Sequence, residues 1–292
     1  MPRIWQIQKT DTKRSTSTAP PTTKASSKEW QRIHRKRQPW EKKFASAERR
    51  LLMAARAEML KNANDIDTTL MKLPVMKWGV TDLLFDLSEW LPDWTKTLLG
   101  ISRAAMESAG FEVWTEELGK TDPLVMPAPQ VLEMIREREN KISGAGEQIH
   151  ATLRGQMEEA IANGETMDEI KGRIRATFNN LSETRVDMIA RTETTYAYES
   201  ARDITMREAG VEWTQWLTME DGGDRHPQYS GLHGQIRAID EPFNLYGNLT
   251  LRYPGDPEGP AAEVINCRCI RIAVMGPDPA DIEGNDPEAA PY

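Results

Sequence analysis

The stretch Val186-Asp-Met-Ile-Ala-Arg-Thr-Glu-Thr-Thr-Tyr-Ala-Tyr-Glu-Ser-Ala-Arg-Asp-Ile-Thr-Met-Arg-Glu-Ala-Gly210-Val-Glu-Trp-Thr-Gln-Trp216 carries two periodicities, one on each side of Gly210. Before it, Val186, Ile189, Ala190, Ala197, Ala201 and Ile204 fall on one face of a helix. After it, Val211, Trp213 and Gln215 alternate with Glu212, Thr214 and Trp216, the pattern of a strand. The chain therefore changes from helix to strand at Gly210. Gln235 to Asp240, Leu249 to Tyr253 and Cys269 to Val274 read as further strands between turns rich in Gly, Pro and Asn. The fold class that follows is α+β, a mainly helical body followed by a small β-rich C-terminal cap.

Working back from Val186, Thr166-Met-Asp-Glu169 reads as a capping box that opens a helix with Ile170, Ile174 and Phe178 on its buried side. Upstream, a long helix is expected from about Pro129 to Asn163, broken near Gly144 and Gly146. The Pro-rich joint from Asp122 to Pro129 marks a subdomain boundary. Earlier helices are expected from Ala45, from Thr81 to Trp90 and from Asp93 to Ser108, with Pro92 separating the last two. Seven of the nine tryptophans precede residue 120, which suits either a packed core or a docking face. Four segments result: a disordered basic arm over 1–44, a Trp-rich helical region over 45–121, a principal domain over 130–275, and an acidic tail over 276–292.

Composition limits the function classes. No run approaches the apolar length of a membrane span, and the polar, basic first fifty residues do not read as a secretory signal. The two cysteines, one residue apart, point to a reducing compartment. The net charge of -8 conceals an asymmetry: residues 1–50 hold 14 Lys and Arg against 4 Asp and Glu. Arg32, Arg35, Lys36, Arg37, Lys42 and Lys43 form the densest cluster, with Trp30 and Trp40 interleaved. Such a cluster can follow a nucleic-acid backbone, or be drawn to the protein's own acidic body or an acidic partner.

The residues suited to chemistry gather late. His226, His233, Cys267 and Cys269 could hold one structural zinc, the cysteines presenting both sulfurs from one strand face. The alternative is two buried thiols and surface histidines. Glu193 falls on the apolar stripe between Ile189 and Ala197, so its carboxylate must be paired if buried. It is expected to bind an arginine or loop N–H groups, or to act as a base or metal ligand beside the Asp221 loop. Arg191, off the stripe, is expected to dock that loop. No nucleotide-binding glycine loop, nucleophile elbow or zinc-protease helix motif occurs.

Taken in order, several pieces resemble the head-morphogenesis family of tailed bacteriophages, the Mu F-like minor head proteins. These are the short helix after Gly164, Ile189-Ala-Arg-Thr-Glu193, Trp213 and Trp216, the Asp221 loop with Arg225, Leu232-His-Gly234, and Asn266-Cys-Arg-Cys269. The resemblance covers roughly residues 130–275. One departure is that Gln228 and Tyr229 stand where family members often carry a His or a C-x-x-C pair, and His226 directly follows Arg225. The resemblance implies a low-copy, non-enzymatic protein of the procapsid and virion, assembled in the host cytoplasm. It would associate with portal, major capsid or scaffold protein, support packaging, and contact DNA. In this frame Arg191, Glu193, Asp221 and Arg225 are signature residues. The competing reading is a metal-dependent hydrolase or transferase using the Asp221–His233 loop and Glu193.

Overall fold

The computed structural model describes residues 27–65, 84–124, 128–218, 232–246 and 248–276. The expected α+β order is present. Helices α1 (Ser27–Asp65), α2 (Leu87–Glu112), α3 (Ala128–Ala162), α4 (Met167–Thr184) and α5 (Val186–Glu208) come first. Strands β1 (Trp213–Leu217), β2 (Ile236–Ala238), β3 (Phe243–Tyr246) and β4 (Leu249–Leu251), a short helix α6 (Ala261–Val264) and β5 (Ile270–Val274) follow. Among the described residues the chain forms two units, one within Met1–Glu41, Ser102–Leu132 and Arg191–Tyr292, the other within Lys42–Ile101 and Glu133–Ala190. These do not follow the four consecutive segments expected from sequence, because the division falls inside α1, α2, α3 and α5. Residues 1–26 and 277–292 lie outside the described residues.

The second unit is helical. Trp90, Trp94 and Leu98 of α2 are buried at a spacing of four, and that continuous inner face carries the helix through Pro92, where a break was expected. Helix α3 is likewise unbroken at Gly144 and Gly146. Gly146 is instead a close-packing site: a Cβ there would lie 2.7 Å from Leu91 Cδ1 and 2.9 Å from Trp94 Cδ1. The Trp94 indole N–H donates to the Ile142 carbonyl one turn earlier at 3.0 Å. Helix α4 opens with the expected capping box, Thr166 and Glu169 each bonding the other's backbone N–H. It buries Ile170, Ile174, Phe178 and Leu181.

In the first unit, β1 lies between β2 and β5 in an antiparallel sheet, and β3 and β4 form a hairpin. Strand alternation sends Leu217, Ile270 and Ile272 into one cluster with Trp30 and Ile33 of α1. Trp216 enters another with Leu232, Phe243, Leu245 and Leu251. Helix α2 ends in a π turn, Val113–Glu117, whose Val113 packs with Met206 and Val211.

Helix α1 corrects the expected arm, since it begins at Ser27 rather than Ala45. Trp30, Ile33, Arg37 and Phe44 are all buried along it. Arginine occupies an inner position, so the apolar period was hidden. Pro39, exposed, interrupts one helix hydrogen bond without ending the helix. Of the described tryptophans, Trp30, Trp90, Trp94, Trp114 and Trp216 are buried, which favours core packing over a docking face.

Candidate functional site

Helix α5 is buried on every side from Glu193 to Arg202, although Thr194, Thr195, Glu199, Ser200 and Arg202 are polar. A helix of that composition is stable inside a protein only if its side chains are bonded. Several of the bonds go to Asn266–Cys269. The Arg191 guanidinium donates to the Asn266 side-chain carbonyl, and the Thr192 hydroxyl accepts the Asn266 N–H at 2.8 Å. Thr195 donates to the Cys267 carbonyl at 2.6 Å. From α1, the Trp30 indole donates to the Arg268 carbonyl at 3.2 Å, and Arg37 to the Cys269 carbonyl at 3.0 Å and to Thr195 Oγ1. Three successive carbonyls are thus each held by a different side chain. Asn266 itself adopts φ +60, a left-handed conformation that asparagine tolerates better than most residues.

The bonding continues along β5, whose outer edge faces no further strand among the described residues. Glu199 Oε2 accepts the Arg271 N–H at 3.0 Å, and Arg202 Nε donates to the Arg271 carbonyl at 3.0 Å. Glu117, on the π turn, accepts the Ala273 N–H at 2.8 Å and the Arg202 guanidinium at 2.7 Å. Side chains thereby cover an edge that would otherwise invite another strand. Burial pushes the Glu199 carboxyl above the usual range, against the pull of Arg202, Arg37 and the Arg271 N–H. Burial also raises Glu112, although Arg202, Lys36 and Arg32 act to lower it.

Glu193 is 3% exposed, so its expected burial is met. Arg191 docks Asn266, and its Nε lies 3.9 Å from Glu41, while the Asp221 loop that it was expected to dock lies outside the described residues. Asp221, Arg225 and His226 lie outside the described residues. His233 Nδ1 faces the Thr218 N–H at 3.2 Å. An imidazole nitrogen that accepts a backbone N–H leaves the hydrogen of the neutral ring on Nε2, so zinc ligation by His233 would require giving up that bond. Cys267 and Cys269 precede β5 rather than lying on it, and neither is in a disulfide. Among the described residues no three of His, Cys, Asp and Glu are grouped to hold a metal ion.

The basic cluster divides. Arg37 is 0% exposed and bound to the Cys269 carbonyl, which takes it out of any surface for phosphate. Arg32 pairs with Glu29 at 2.6 Å, and Lys36 lies 3.4 Å from Glu112 and also pairs with Glu116. These two follow the expectation of attraction to the protein's own acidic groups. Arg35, Lys42 and Lys43 are exposed. Sequence reasoning missed the roles of Thr192, Thr195, Glu199 and Arg202 on α5, whose polarity gave no local sign that the helix is buried, and of Glu117 on the π turn.

Residues 151–272 match the family model described as phage Mu protein F like protein. No curated protein and no solved structure matches the chain. Within the matched range, Arg191 and Thr192 of the Ile189–Glu193 motif bond Asn266 of the Asn266–Cys269 motif, so two pieces 75 residues apart form one contact. The match covers under half of the 292 residues, and it makes residues 151–272 similar to the phage Mu protein F like proteins.

Proposed function

We propose that the protein is a minor head protein of a tailed bacteriophage that acts in procapsid assembly and DNA packaging near the portal vertex. Its partners would be the portal protein and the major capsid or scaffold protein, and its place the procapsid and virion, built in the host cytoplasm. The observation that carries this reading is the match of residues 151–272 to the phage Mu protein F like family model. The use of polar groups in and beside the Ile189–Glu193 motif supports it, because Arg191, Thr192 and Thr195 bind the protein's own backbone and side chains. That is the economy of a scaffold. Quantitative mass spectrometry of purified procapsids and virions tests it. A small, reproducible copy number per particle is expected, and absence from both particles would overturn the reading.

DNA contact is a narrower proposal, resting on the exposed Arg35, Lys42 and Lys43. Each phosphate contact contributes about 0.9 to the slope of log affinity against log salt. Replacing the three residues with Gln should lower that slope, whereas Arg37→Gln should act through folding alone.

A further inference from the structure

The clamp on Asn266–Cys269 engages main-chain carbonyls and one N–H, and the two thiols take no part in it. The Cys267 sulfur instead receives hydrogen bonds from the Cys269 thiol and the Cys269 backbone N–H, so the two sulfurs are neighbours. Both residues are half-buried. Their backbone is fixed from both sides, by Trp30 and Arg37 on α1 and by Thr192 and Thr195 on α5. A dithiol held in this way loses little conformational freedom when something bridges it. The Arg37 guanidinium on the Cys269 carbonyl puts positive charge beside the pair.

We propose that Cys267 and Cys269 form a two-sulfur site for one soft d10 cation of the copper(I) class, complete without a histidine. Thiolates select such ions over harder ones. A monovalent d10 ion is satisfied by two sulfur donors, which suits a pair of adjacent thiols. Binding replaces both thiol protons, so two protons leave for each cation bound. Two thiolates and one monovalent cation leave a single negative charge, which Arg37 offsets. This site differs from the four-ligand zinc set, since it leaves the His233 bond to Thr218 undisturbed.

The test uses the reduced full chain and copper(I) supplied as its bathocuproine disulfonate complex, whose colour is lost on transfer. Transfer of one copper per chain is expected, unchanged in His233→Ala and abolished in both Cys267→Ser and Cys269→Ser. Failure to transfer, transfer that survives either serine variant, or loss of transfer in His233→Ala would each overturn the proposal. Should the serine variants unfold, alkylation of the unaltered chain decides. Copper should protect both Cys267 and Cys269 from iodoacetamide by peptide mass mapping, and protection of neither or only one overturns the site.

Discussion

Replacing Arg37 with methionine should destabilise the first unit by about 3–5 kcal/mol, the usual cost of removing one partner from a buried charged network. Methionine keeps most of the buried stem, so the loss isolates the guanidinium. That group is fully buried, donates to the Cys269 carbonyl at 3.0 Å and to Thr195, and lies 3.9 Å from the equally buried Glu199. Hydrogen bonds from a charged donor contribute about 1.5–3 kcal/mol each, and two of them reach the same range independently. With a urea m value of roughly 2–3 kcal/mol/M, the midpoint should fall by about 1–2.5 M. Urea titration followed by tryptophan fluorescence and circular dichroism measures it. Arg37→Lys keeps the charge but not the fork and should fall between the two. Arg35→Met, on the exposed side, should stay within about 0.5 kcal/mol. A loss below about 1 kcal/mol for Arg37→Met would refute the claim that this arginine joins α1 to the segment before β5.

Gly146→Ala should destabilise by about 1–2 kcal/mol because the new methyl meets Leu91 and the Trp94 ring, outweighing its gain in helix propensity. Gly155→Ala in the same helix meets nothing within 4 Å and should stabilise by about 0.5–1 kcal/mol; thermal melts compare the two. Thr166→Ala removes the cap of α4 and should cost about 1 kcal/mol by the same assay. Glu199 has a folded pKa raised by burial, so its contribution is fully present below the ordinary Glu range and is lost as pH rises through the raised value. Glu199→Gln, fixed in the neutral form, should flatten that part of the stability–pH curve. An unchanged curve would mean that Glu199 is not the group responsible. Asp256 works in the opposite sense: burial raises it, but Arg252 and backbone N–H groups prevail and lower it, so its contribution is lost on acidification through the depressed value.

Helix α4 was legible from sequence because its cap, its apolar spacing and its end all agree locally. Strands β1 and β5 were legible for the same reason, to within a residue or two. Strand β3 was not, being four residues between Pro242 and the turn before Leu249. Its neighbour across from Asn244 is in part a side chain, since the Gln235 amide bonds both the N–H and the carbonyl of Asn244. The inner part of α1 was hidden because Arg37 sits where a pattern search looks for Leu. At the site, Arg191 and Glu193 carried a motif and Glu193 carried an anomaly of burial. Thr192 carried only its place in that motif and Thr195 carried neither, because a helical threonine becomes informative only once the backbone that it bonds has been placed.

The clamp also sets an order of events in synthesis. Trp30 and Arg268 are 238 positions apart, and Arg37 and Cys269 are 232 apart. At about 5–20 residues per second, α1 leaves the ribosome roughly 10–50 s before the segment that it must hold exists. Closing so long a loop costs roughly 5 kcal/mol of chain entropy before any of these bonds form. During that interval Trp30 and Ile33 have no β5 to cover them, and the nascent chain presents an apolar helix face next to its densest run of positive charge. Such a segment has the features that bind chaperones, and the last residues of the domain to be translated are the ones that release it.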